Sequence, residues 1–226
     1  MVRSRGGISA EKIASDPAFQ RTRENNAEFR RAGKASKLLC TALRSTIVNA
    51  KDSRMISRLT TQMLKVVQAD ETNERGQRNV IDGEAALLEG FDFNGSAKLS
   101  ATLYAPYTAV LNRVSGNVSI TIPAFVPLNL AVAPAGTTHF QVFMGTAAIN
   151  FEGETYEVDT AVSGNLEYGN KDTAVTTLTG MLPTNSTHPL FLAFGIAFMQ
   201  QVNGKMYPLN NGAFNACSLI KVDTPV

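Results

Sequence analysis

The sequence contains no tryptophan, only two histidines and two cysteines, and two long stretches without a charged side chain. Each shortage closes off a class of function. His139 and His188 are the only imidazoles, and no Ser or Cys stands in a nucleophile-elbow context to pair with either. His139 lies among alternating strand residues and His188 in Thr187-His188-Pro189, strand-end positions at which a structural role is expected. A metal site would need further His, Cys or clustered carboxylates, so none is expected. Cys40 and Cys217 have neither disulfide nor ligand spacing and read as two buried thiols of a reducing compartment. No Gly-rich phosphate loop occurs. Glu152, Glu154, Glu157 and Asp159 cluster on one hairpin, but their alternation with Tyr156 and Val158 reads as a solvated strand face rather than an acid/base pair. The expectation is a protein that is not an enzyme and uses no cofactor.

Long apolar runs are also missing. The most apolar segment, Leu190 to Met199, is about half a membrane span. Met1 to Arg5 opens on charge with no apolar leader segment behind it. A cytoplasmic protein without a membrane partner is expected, unless a non-standard route exports it. The glycosylation-like tripeptides at Asn94, Asn117 and Asn185 are then chance matches in an Asn- and Thr-rich chain.

What the chain has instead is a division of charge. The first 65 residues hold 14 of the 21 Lys and Arg and 5 of the 19 Asp and Glu, a balance of +9. The remaining 161 hold 7 and 14, a balance of −7, so the net +2 conceals a basic arm on an acidic body. Two partners suit such an arm: a polyanion, or the body of another copy.

Asp16-Pro17 is a helix opening, with Asp as N-cap and Pro at the first helical position. From there to about Asn49 the pattern has helical period, placing Phe29, Ala32, Leu39, Leu43 and Ile47 on one face and Arg23, Arg30, Lys34, Lys37 and Arg44 in a separate basic stripe. After Lys51-Asp52-Ser53 a second helix follows, with Met55, Ile56, Leu59, Met63, Val66 and Val67 inward and Arg54, Arg58 and Lys65 on another face. The two form either an antiparallel pair or one long bent helix. Residues 69–89 open polar and mixed in charge and read as a linker. Beyond them the period becomes 2, as in Val118, Ile120 and Ile122, and Gly-containing turns recur. Asn203-Gly204 is the strongest hairpin signal.

Val114 to Phe151 and Thr173 to Gly204, 38 and 32 residues, carry no Asp, Glu, Lys or Arg. Outward strand positions normally carry charges that keep edges and faces apart. Two readings remain open: a tightly wrapped sandwich with a hydroxyl-rich face, or a surface covered by neighbouring subunits.

The segments Arg5-Gly6-Gly7-Ile8-Ser9, Asp16 to Asn25 (DPAFQRTREN) and Glu28 to Leu39 (EFRRAGKASKLL) resemble the amino-terminal signature of a group of uncharacterised bacterial proteins. Asn185 to Gly195 (NSTHPLFLAFG) and Tyr207 to Ala216 (YPLNNGAFNA) extend the resemblance over most of the chain. It implies no activity and no site residues. Relatives in that group often carry a further β-rich segment ahead of the Arg-Gly-Gly element, which would make this chain a short member.

The expected fold is α+β: a basic helical arm at 1–68, a linker at 69–89, and an all-β antiparallel sandwich, immunoglobulin-like or jelly-roll-like, at 90–226. The expected function is structural, a subunit assembling with copies of itself into a filament, tube or shell. Phe19, Phe29, Leu39, Leu43 and Ile47 would dock the arm in cis or in trans, and Arg23, Arg30, Lys34, Lys37 and Arg44 would make electrostatic contacts. The alternatives are a nucleic-acid-binding protein that grips phosphates with the arm, and a monomeric ligand-binding sandwich.

Overall fold

A computed structural model describes residues 7–225. Four helices come first: α1 (Ala10–Ser15), α2 (Gln20–Ala42), α3 (Arg44–Ile47) and α4 (Met55–Gln68). Nine strands follow: β1 (Thr108–Leu111), β2 (Asn117–Ile122), β3 (His139–Asn150), β4 (Thr155–Val162), β5 (Leu166–Glu167), β6 (Thr176–Met181), β7 (Leu190–Val202), β8 (Lys205–Pro208) and β9 (Ala216–Asp223). The chain is α+β, with two antiparallel sheets behind a helical layer. Arg5 and Gly6 of the first resemblance segment lie outside the described residues.

Asp16 caps as its sequence indicates, its carboxylate accepting from the Ala18 N–H at 2.9 Å, and Pro17 opens a 3₁₀ turn that runs into α2. The separate helix α1, capped by Ser9, had no apolar periodicity to announce it and buries no residue. α2 and α4 form the antiparallel pair: Cys40 near the end of α2 meets Met55 at the start of α4, while Glu28 and Arg31 meet the loop that follows α4. Ile56, expected inward, is 51% exposed.

The smaller sheet has strand order β1-β2-β6. In the larger one β3 and β7 lie at the centre, β4 and β5 beyond β3, and β8 and β9 beyond β7. Alternation along β3 splits its side chains between two cores. Phe143, Ala147 and Ile149 join Leu39, Leu43, Leu59 and Met63 under the helices. Phe140, Val142, Met144 and Ala148 join Ile120 and Leu178 between the sheets. β7 divides in the same way, with Phe191 and Ala193 toward the helices and Leu192, Phe194 and Ile196 toward the smaller sheet. Three layers result, helix, sheet and sheet, and the central strands are covered on both faces. The arm therefore packs on its own body.

This arrangement accounts for much of the missing charge. A strand buried on both faces reads as a near-continuous apolar run, because neither face reaches water. β3 and β7 occupy the ends of the two charge-free stretches, so there the gap in charge reflects burial within the subunit. Residues 69–89 also join the core, through Val80, Ala85 and Leu88, while Asp70 organises their polar part by accepting from the Thr72, Asn73 and Asn79 N–H groups. The Asn203-Gly204 hairpin joins β7 to β8 with both residues at positive φ, 50° and 78°, as a type I′ turn requires. Among the described residues no helix is long and apolar enough to cross a membrane.

Candidate functional site

The residues expected to dock the arm part company along α2. Leu39, Leu43 and Ile47 are buried in the helix-to-sheet core, and Phe19 is half-buried in the 3₁₀ turn ahead of α2. Phe29 is 57% exposed, which corrects its assignment to the apolar face. The amino-terminal half of α2 packs on the polar loop after α4 rather than on the sheet, and Glu28 takes the inward position. The Gly76 N–H donates to the Glu28 carboxylate at 2.9 Å, and Arg31 donates to the Gly76 carbonyl at 2.7 Å and the Arg78 carbonyl at 3.1 Å. Gly76 has φ 85°, and a Cβ there would press on Glu24, so loop and helix fit only with glycine. The one sequence signal for Glu28 is its place on the stripe of Ala32, Ala35 and Leu39.

The basic stripe also divides. Arg23 turns back to donate to the Ile13 and Asp16 carbonyls, each at 2.8 Å, and so fastens α1 to α2. Lys34 pairs with Glu154 just ahead of β4, an exposed contact worth at most about 1 kcal/mol. Arg30, Lys37 and Arg44 are exposed. On the next helix Arg58 pairs with Asp52 at 2.6 Å and donates to the Asp92 and Phe93 carbonyls, which ties α4 to the segment entering the β layers.

The outer face of the smaller sheet is left open by the fold and is bordered on the β6 side by Asp159 of β4. In register across its strands run Thr108, Thr121 and Thr177, then Val110, Ser119 and Thr179, then Asn117 and Met181. These eight outward side chains include no charge, and Val110 and Met181 are 45% and 58% exposed. The Thr121 and Thr177 hydroxyls lie 3.3 Å apart. Period-2 patterning in the sequence marked only the β2 row of this face, at Asn117, Ser119 and Thr121; β1 and β6 carried no such signal.

A polar cleft of about 330 Å³ lies where β4 meets the loop before β7, lined by Asn150, Thr155, Glu157, Asn185, Thr187 and His188. Arg113 fixes that loop by donating to the Ser186 and His188 carbonyls while pairing with Asp223 at 2.9 Å. The cysteines stand apart from it. Burial pushes the Cys40 thiol up to about 11 despite the nearby Lys51 charge, and burial, with the Asp92 charge adding to it, raises the fully buried Cys217 further. Asn94 is buried, its amide donating to the Ala213 and Asn215 carbonyls. Among the described residues no three His, Cys, Asp or Glu come together in a way that could hold a metal ion.

No protein-family model matches the chain, and no curated protein matches its sequence. A solved structure described as "pH-induced modulation of Streptococcus parasanguinis adhesion by Fap1 fimbriae" is similar over 54% of this chain and 82% of that one, at 14% identity and a TM-score of 0.26. A score that low carries no argument about fold or role.

Proposed function

We propose that the protein is a non-catalytic structural subunit that associates with copies of itself through the outer face of the β1-β2-β6 sheet. The supporting observation is the absence of charge from all eight outward side chains of that face, two of them exposed and apolar. The eight side chains have the composition of an interface core, and the one ion beside them among the described residues, the Asp159 carboxylate of β4, already accepts from the Met181 N–H. The helical arm has no part in this contact, since its apolar face is already used within the chain.

Size sets the strength. Three strands at ~4.8 Å spacing and about five residues at ~3.3 Å make a face of roughly 15 by 17 Å. That is well below the ~800 Å² per partner of a stable pairwise complex. Association through it is weak and driven by concentration, and face to face it closes as a dimer, so a filament, tube or shell would be built from such dimers through a second contact. Sedimentation velocity across a wide concentration range tests the proposal. The wild-type chain should form reversible oligomers, and Thr177→Lys with Thr179→Lys, both on exposed positions, should return it to monomer without changing the melting temperature. A wild-type chain that remains monomeric throughout would end the proposal.

A further inference from the structure

β4 closes one side of the larger sheet and pairs there with β3 alone. Its ladder phase follows from the Ser163 N–H, which donates to the Val142 carbonyl. Stepping by two from that pair, Ala161, Asp159, Glu157 and Thr155 turn their backbone groups toward β3, and Val162, Thr160, Val158 and Tyr156 turn theirs away. Of these outward groups only the Thr160 N–H has a partner among the described residues, the Asp159 carboxylate at 2.8 Å. The strand has no proline and no lysine, devices that keep a free edge from pairing. Tyr156, Val158 and Val162 are 40%, 43% and 58% exposed beside it.

The charge on this edge selects the occupant. Glu152, Glu154, Glu157 and Asp159 fall within eight residues that contain no Lys or Arg. Glu154 is matched by Lys34, and the Asp159 carboxylate also accepts from the Met181 N–H at 2.9 Å, joining β4 to β6. Glu157 has no ion pair or side-chain hydrogen bond among the described residues and faces the polar cleft. A second copy adding its own β4 antiparallel would set carboxylates against carboxylates, which a sheet edge does not tolerate.

We infer that the free edge of β4 receives an extended segment of a different protein, with cationic and β-branched side chains alternating. Its backbone pairs with Tyr156 and Val158, its cations face Glu157 across the cleft, and its apolar side chains lie beside Val158 and Tyr156 on the other face. This is strand addition, in which main-chain hydrogen bonds supply affinity and alternate side chains supply selection. The inference does not rest on the self-association proposed above, whose sheet face adjoins β4 at Asp159 but leaves the outward backbone groups of Tyr156 and Val158 untouched.

The test uses the full chain and two fluorescent octapeptides, one alternating Lys and Val and the other Glu and Val. The Lys peptide should bind saturably and the Glu peptide should not. Glu157→Lys should weaken binding about tenfold, a change of about 1.4 kcal/mol. Val158→Pro removes only an N–H that points away from β3, so the β3–β4 ladder survives while strand addition is lost. Thr108→Lys, on the far strand β1 of the smaller sheet, should leave peptide binding unchanged. Equal binding of both peptides, or a folded Val158→Pro chain that binds like wild type, would overturn the inference. Amide exchange on the unaltered protein gives a second reading: the Lys peptide should slow exchange at Tyr156, Val158 and Val162, and no slowing at those amides would also overturn it.

Discussion

Gly145 lies in β3 on the side facing the helices, and a Cβ built there would collide with Thr46 of α3, against Oγ1, Cβ and Cγ2 together. Gly145→Ala must therefore lift α3 off the sheet or bend β3, whose neighbours Met144, Thr146 and Ala147 are buried. Overpacking of this kind costs about 1–3 kcal/mol. For a chain of this size, at about 2–4 °C per kcal/mol, the melting temperature should fall by about 2–12 °C. Thr46→Ala removes two of the three clashing atoms, and the hydroxyl it deletes is buried without a hydrogen-bond partner, so the single change should cost little. In the Gly145→Ala background it makes room for the added methyl. The two changes should accordingly be non-additive, with a coupling of at least about 0.5 kcal/mol in urea titrations of the four proteins. Strict additivity would refute the seating of α3 on Gly145. The coupling should also be the same at tenfold higher protein concentration, because both residues belong to one chain; a coupling that grows with concentration would mean that the helical layer came from a neighbour.

Acid should unfold the chain through its bound carboxylates. Burial works to raise Asp70, but donation from the Asn73 N–H and side chain, the Asn79 N–H and the Thr72 N–H outweighs it and holds the carboxyl below its ordinary value. Asp52 is likewise lowered: burial opposes, while the Gly95 N–H, the Arg58 guanidinium and the Arg54 N–H prevail. A carboxyl lowered by folding stabilises fully above its unfolded value, about 3.9, and that contribution is lost as pH falls through the folded value. Urea midpoints should thus drop below pH ~4, and Asp70→Asn should be less stable at neutral pH with a shallower acid slope; an unchanged slope would count against this account of Asp70. With the Cys40 thiol raised to about 11, about one molecule in a thousand is thiolate at pH 8. Neither cysteine should react quickly with a disulfide reagent until the chain is unfolded, when both should; rapid reaction of one equivalent in the native protein would contradict the burial.

Signals of short range were legible in the sequence. Asp16-Pro17, the stripe Leu39, Leu43 and Ile47, the stripe Leu59, Met63, Val66 and Val67, and the Asn203-Gly204 turn each depend on residues within one or two turns of chain. Backbone stereochemistry and period settle such features before any distant contact forms. The errors fall where a distant partner decides. Phe29 reads inward and is exposed, because the surface opposite is a loop whose Gly76 N–H selects the charged neighbour Glu28. Residues 69–89 read as a linker by composition, yet Ala85 and Leu88 fill the space between α4 and β9 while Val80 joins the same core beside Ala35 and Leu38 of α2.

By itself, then, the sequence determined two amphipathic helices, a body of antiparallel strands, and a chain whose basic first 65 residues precede an uncharged and mildly acidic remainder; the length of the central strands β3 and β7 was not among these. Only the tertiary structure decided what the missing charge means. Absence of charge along β3 and β7 follows from cover on both faces by helices and by a second sheet, while the same absence along β1, β2 and β6 leaves one face open to solvent. Hydropathy alone does not separate these cases, because a Thr- and Ala-rich strand satisfies either one; which strands lie at the centre depends on pairing between segments some fifty residues apart.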